Sequence, residues 1–163
     1  MTLARLEDKI VTYHPDVLLL LEGVNDLSAG ATIPGAVQSV QRLTTFARGA
    51  GVRVLVGTLL PEIAGDADGN AASLIVPFNN VLVPAVTSAG ATVVDLYGDL
   101  VTDVSDWISP YDGLHPTEAG YQEMARVWFN SIKSLFELPS TSTVMKVSDQ
   151  VRPGTALRGK SRQ

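Results

Sequence analysis

An α/β fold built on a parallel sheet is predicted by three features of this chain. Short continuous apolar runs alternate with stretches whose apolar residues recur at helical spacing. Glycine and proline punctuate each change of rhythm. The 163 residues, 45% of them hydrophobic, suffice for one domain with a sizeable core and are too few for two. Runs that stay apolar without alternation fit strands buried on both faces, and strands separated by helices need right-handed crossovers. The predicted architecture is therefore a three-layer α/β/α sandwich, for which three strands are few.

The elements follow in order. Leu3, Leu6, Ile10 and Val11 share one helical face, and the His14–Pro15 step ends that helix because a residue before proline avoids the helical region. His14 then reads as a C-terminal cap. Val17 opens an apolar run that closes at Leu21, too short for a helix and bounded by Pro15 and Gly23, which predicts a buried strand. Residues 34–50 predict a helix with Val37, Val40, Leu43 and Ala47 buried, followed by a strand over 52–56. Residues 71–89 predict another helix, with a kink or a late start because Pro77 and Pro84 each remove a backbone hydrogen bond. A third strand spans 91–95. Thr117 before Glu118 caps a last helix to about residue 135, with Tyr121, Met124, Ala125, Trp128, Ile132 and Leu135 at core spacing.

Composition excludes several function classes. Twelve Lys and Arg against seventeen Asp and Glu give a net charge of −5, the reverse of a nucleic-acid footprint. The absence of cysteine removes disulfides, zinc–thiolate sites and thiol nucleophiles. The longest apolar run falls far short of the roughly 20 residues of a membrane span, and residues 1–15 lack the pattern of a signal peptide, so no compartment is indicated. Charge divides the chain in two. Residues 1–137 hold seven basic and sixteen acidic residues, whereas 138–163 hold five basic and one acidic. The first segment reads as the domain and the second as a basic tail, whose residues 143–147 have the β-branched content of a docking strand.

In an open parallel sheet the reactive groups lie beyond the carboxyl ends of the strands, and two loops there carry chemistry. The first strand runs into Glu22, Gly23, Val24, Asn25 and Asp26. The loop before the last helix reads Tyr111, Asp112, Gly113, Leu114, His115, Pro116, with a carboxylate three residues before an imidazole. A carboxylate so placed can hold the histidine Nδ1 proton and leave Nε2 free as a general base. Taken singly, the histidine motif also fits a capped loop, and the asparagine motif fits ordinary turn chemistry.

Taken together and in this order, PDVLLLLEGVNDL and, about ninety residues later, YDGLHPTEAGY resemble the SGNH hydrolases, also called GDSL esterases and lipases. The similarity runs from about residue 3 to residue 136. It implies a flavodoxin-like sandwich and hydrolysis of a small-molecule carboxylic ester, with no metal or organic cofactor. By this resemblance Asn25 donates its amide to the oxyanion, His115 is the general base and Asp112 orients it. The family's serine lies in a G-D-S motif after an earlier strand, and neither that motif nor the family's oxyanion-hole glycine is found here. The chain is thus expected to start inside the helix that follows them, lacking a βαβ-sized piece. Ser28, on the asparagine loop, and Ser148, after the tail strand, are weak stand-ins whose ordinary role is loop solvation. Without the first strands, the edge strand from Val17 to Leu21 would present unpaired amides, so homo-oligomerisation or tail docking is expected there.

The remaining features have simpler readings. Asp66, Asp68 and Asn70 hint at a calcium loop, but position twelve is Pro77 and the glycine is misplaced, which favours a solvated turn. Asp95, Asp99, Asp103 and Asp106 read as a solvated acidic face, with a cation site as the minority alternative. Trp107, Ile108 and Tyr111 serve either an acyl or sugar subsite or loop packing. A ligand-binding α/β module and a catalytically inactive scaffold are the alternatives to an esterase.

Overall fold

Three parallel strands, β1 (Val17–Leu20), β2 (Arg53–Gly57) and β3 (Thr92–Val94), lie side by side in chain order. The computed structural model describes residues 2–65 and 69–137. Leu20 pairs with Val56, and Gly57 with Val94, so the strands end level at one rim of the sheet. Helix α1 (Leu3–Tyr13) precedes β1; α2 (Val24–Ser28) and α3 (Ile33–Gly49) join β1 to β2; α4 (Ala72–Ser88) joins β2 to β3. After β3 come the short α5 (Leu96–Leu100), a single 3₁₀ turn, α6 (Val104–Trp107) and the long α7 (Glu118–Phe136).

Alternation along β2 sorts the core into two layers, because successive side chains leave opposite faces of a strand. Val54 and Val56 join Leu6 and Ile10 of α1, Val37, Val40, Leu43 and Ala47 of α3, and Ile75, Phe78, Leu82 and Val86 of α4. Leu55 faces the other way and packs with Val94, Leu96 and Val127. Met124, Trp128 and Ile132 of α7 cover that second layer. The architecture is the predicted three-layer sandwich.

Local chemistry fixes the element ends. Thr2, Thr32 and Thr117 each cap a helix by accepting a backbone N–H through the side chain, from Arg5, Gly35 and Gly120 respectively. His14 closes α1 in the left-handed conformation with its N–H donated to the Ile10 carbonyl, as the sequence indicates.

Several expectations are corrected. Helix α4 starts at Ala72, so the late start is not seen, and its helical assignment continues through Pro77 and Pro84, with Ile75, Phe78, Leu82 and Val86 anchoring it to the core. Leu3 and Val11 are exposed, because only Leu6 and Ile10 of α1 reach the sheet. Tyr121 and Ala125 are exposed on α7, and Val127 is buried in their place. Strand β1 is not buried on both faces: Leu19 is 42% exposed, and no strand pairs with the outer edge of β1 among the described residues. The proposed tail strand, Ser148, Asp66 and Asp68 lie outside the described residues. Among the described residues no helix is long and apolar enough to cross a membrane.

Candidate active site

The exits of β1 and β2 and the loop before α7 converge at the strand-end rim. A cleft of about 190 Å³ opens there, lined by Asn25 after β1, Leu59, Leu60 and Glu62 after β2, and His115 and Pro116 before α7. The three residues singled out from the sequence therefore meet: Asn25 and His115 both line the cleft, and Asp112 stands directly behind His115.

Asp112 organises its loop. Its Oδ1 accepts the backbone N–H groups of Leu114 (2.9 Å) and His115 (3.0 Å), and its Oδ2 lies 3.0 Å from His115 Nδ1. The Leu114 N–H, then the His115 N–H, hold the Asp112 carboxyl below its ordinary value; the His115 side chain adds to this. Asp112 is thus a carboxylate fixed in orientation before it meets the imidazole. With Nδ1 engaged, Nε2 is the ring nitrogen left for proton transfer. His115 is 62% exposed on its side chain and Asp112 only 28%, so the base faces outward while its partner is shielded.

The loop itself is held from both sides. Ser109 donates its N–H to the His115 carbonyl (2.8 Å), Ile108 bridges Pro116, and Thr117 donates to the Trp107 carbonyl (2.9 Å). The start of α7 approaches that carbonyl so closely that a Cβ on Gly120 would stand 2.1 Å from the Trp107 oxygen. Across the cleft, Ile63 donates its N–H to the Gly113 carbonyl (2.8 Å), tying the β2 exit to the histidine loop.

Asn25 sits in the first turn of α2, which starts because Gly23 turns the chain sharply at φ +125°. The Asn25 side chain is exposed and makes no hydrogen bond among the described residues, so both amide N–H donors remain available. Gly23 is doubly constrained, since an added Cβ would also lie 2.6 Å from Cζ of the buried Phe78. Gly23→Ala is accordingly expected to cost about 1–3 kcal/mol, from left-handed strain and overpacking together. Denaturant unfolding measures this, and an unchanged midpoint would refute it.

Two contributors to the site were not legible in the motifs. Asn79 on α4 is buried and grips Leu59, accepting its N–H (2.8 Å) and donating to its carbonyl (2.9 Å), which sets the direction of the β2 exit. Glu62 follows at the cleft wall. Its Oε2 accepts the Ala71 N–H (3.0 Å) at the start of α4, whereas its Oε1 is buried with no partner among the described residues. Burial pushes the Glu62 carboxyl above its ordinary value, against the opposing pull of the Ala71 N–H. A polar residue just after an apolar strand was the available signal.

Other candidates fall away from the cleft. Ser28 ends α2 and does not line it; Tyr121 carries the one hydroxyl among the described lining residues. Ile108 is fully buried, Tyr111 is 92% exposed, and neither these nor Trp107 line the cleft. Asp95 caps α5 through the Gly98 N–H and accepts from Thr58, Asp99 pairs with Arg126, and Asp103 accepts from Ser105. The described residues contain no group of three His, Cys, Asp or Glu side chains suited to a metal ion.

Comparison with known proteins supplies a frame for this geometry. A model of the GDSL-like lipase/acylhydrolase family matches residues 1–123. A multidomain esterase of Ruminococcus flavefaciens is 28% identical over 131 residues, which are 77% of this chain and 16% of that protein's length. Among solved structures, a lipase/acylhydrolase from Enterococcus faecalis superposes with a TM-score of 0.70 at 20% identity, covering 82% of this chain and 69% of that one. A catalytic mutant of an acetylxylan esterase from Geobacillus stearothermophilus superposes at 0.63 with 14% identity, covering 81% and 68%. At such identities the structural likeness concerns the fold, a flavodoxin-like sandwich.

Proposed function

This chain belongs to the GDSL-like lipase/acylhydrolase family, and on that premise we propose that its cleft hydrolyses carboxylic esters through His115, Asp112 and Asn25. The carrying observation is the 3.0 Å contact between Asp112 Oδ2 and His115 Nδ1, with His115 and Asn25 lining one cleft. In the proposed reaction a nucleophilic hydroxyl attacks the ester carbonyl while His115 Nε2 takes its proton. Asp112 holds Nδ1 and stabilises the imidazolium, and the Asn25 amide donates to the developing oxyanion. His115 then protonates the departing alcohol, and water, activated by the same nitrogen, releases the acid.

No serine or threonine lines the cleft among the described residues, so the nucleophilic hydroxyl is left unassigned. That same observation favours a second reading, in which the chain by itself is a binding scaffold that keeps the fold and the pocket.

The test is hydrolysis of a p-nitrophenyl acetate by the purified chain, with a fluorophosphonate probe read by intact mass and peptide mapping. Turnover together with one adduct would establish the esterase and identify its nucleophile. Neither turnover nor adduct would overturn the esterase reading for this chain and leave the scaffold.

A further inference from the structure

We propose that residues 143–147 of the basic tail add to the sheet as a fourth strand, parallel to β1 along its open edge. That edge carries backbone groups able to receive a strand. The Asp16 carbonyl accepts the Arg53 N–H (3.0 Å), which directs the even-numbered residues of β1 toward β2. By the alternation of a parallel ladder, the N–H and C=O groups of Val17 and Leu19 point the other way, where no described strand pairs with them. The surface beside the edge is apolar. Leu19 is exposed, and so are Tyr121, Phe129 and Phe136 along one flank of α7. The opposite flank, with Val127, Ser131 and Ser134, lines a groove with Asp99 of α5. Because α5 follows β3, the apolar flank is the one toward β1, and Tyr121 and Leu21 line the same cleft. An unpaired edge beside exposed apolar side chains is a template for a further strand.

The occupant follows from where the tail begins, how far it reaches and what it carries. Helix α7 ends at Phe136, whose ring centroid lies 4.7 Å from the Arg53 guanidinium carbon, and Arg53 is the β2 residue in register with Val17. The tail therefore leaves the body at the rim where a strand parallel to β1 has to start. Pro139 bars continuation of the helix. Residues 137–142, extended, reach about 20 Å. The seat beyond β1 is two strand spacings, about 10 Å, from β2, which leaves chain for the descent from α7. Handedness agrees as well. Helices α1, α3 and α4 cover one face while the strands advance away from β1, and α7 covers the other face. A connection from β3 through α7 back to the far side of β1 is thus right-handed. Thr143, Val144 and Val147 are β-branched, and Thr143, Met145 and Val147 alternate onto one face, as the apolar surface beside Leu19 requires. Charge separates the tail from a second copy of the chain: residues 138–163 hold five basic residues and one acidic, against seven and sixteen in 1–137. The body attracts its tail and repels another body.

The experiment follows backbone amide exchange by NMR in the full chain and in a Met145→Pro, Lys146→Pro double variant. The two prolines remove ladder donors of either parity from the tail and leave residues 1–137 unchanged. The Leu19 amide should exchange at least about tenfold more slowly in the full chain than in the variant, whereas Leu18 and Leu20, directed toward β2, should differ by less than about threefold. Sedimentation should give a monomer for both proteins at every concentration used. Equal exchange of Leu19 in the two proteins, or an equal change at all three amides, would overturn the proposal. Protection of Leu19 that grows with protein concentration, together with a dimer mass, would also overturn it and assign the edge to a second copy. If the variant does not fold, nuclear Overhauser contacts between Leu19 and residues 143–147 of the full chain decide. Contacts within one molecule uphold the fourth strand; their absence, or contacts only between differently labelled molecules, sinks it. No ester enters the measurement, so its result is independent of the esterase reading.

Discussion

Replacing His115 by alanine should lower kcat for p-nitrophenyl acetate by about 10³–10⁴-fold, with KM within a few-fold of the parent. The side chain is 62% exposed and its polar contact is to Asp112, so its removal takes away the base without opening a cavity. Unfolding midpoints of parent and variant should accordingly coincide. Asp112→Asn should also cut the rate, since a carboxamide turned to donate toward Nδ1 holds the wrong tautomer. Because the Leu114 and His115 N–H groups keep the Asp112 carboxyl below its ordinary value, Asp112 stays ionised from neutrality down to about pH 5. The sign follows from that depression: the contribution of the Asp112 carboxylate is present above its ordinary pKa and is lost only as pH falls through the depressed one. Rate lost on mild acidification is therefore not the protonation of Asp112. Retention of more than a tenth of the parent rate in His115→Ala would sink the assignment of the base.

The second large effect belongs to Asn25. Asn25→Ala should lower kcat by about 10²–10³-fold, the usual cost of removing one donor to a developing oxyanion. Asn25→Asp should be at least as damaging, because a carboxylate at that point repels the charge that the amide would stabilise. Neither change should alter stability, since the side chain is exposed and bonds to no described residue. The contrast is with Gly23→Ala, which leaves the amide in place and unsettles the turn beneath it. A kcat unchanged in Asn25→Ala would remove this side chain from the reaction.

Most of the scaffold was legible because its signals are local. The stripe Val37, Val40, Leu43 and Ala47 named the buried face of α3, and Thr117 marked the start of α7. The family could be read from the asparagine and histidine motifs, and the match of the family model over residues 1–123 bears that out. Where the reading failed, burial depended on distant neighbours. Apolar periodicity marks Leu3, Val11, Ala125 and Tyr121 as well as their buried partners, but how much of each helix meets a sheet three strands wide is a tertiary quantity. Leu19 belongs to a run that reads as doubly buried, and it is exposed because its strand lies at the edge. Prolines 77 and 84 read as disruption, yet packing around Phe78 and Leu82 outweighs two lost hydrogen bonds.

The sequence by itself determined the order of strands and helices, the family, and the residue types of the candidate base, its orienting carboxylate and its amide donor. These are properties of neighbours within a turn or two, and Asp112 reaches His115 across three residues. Only the tertiary structure decided that Asn25 and His115 line one cleft, that Asn79 steers the β2 exit, and that Glu62 stands in the wall with one oxygen unanswered. Such facts join segments separated by many residues, and their distances are set by the parallel register of the sheet and the closure of the core over it, which no local pattern encodes.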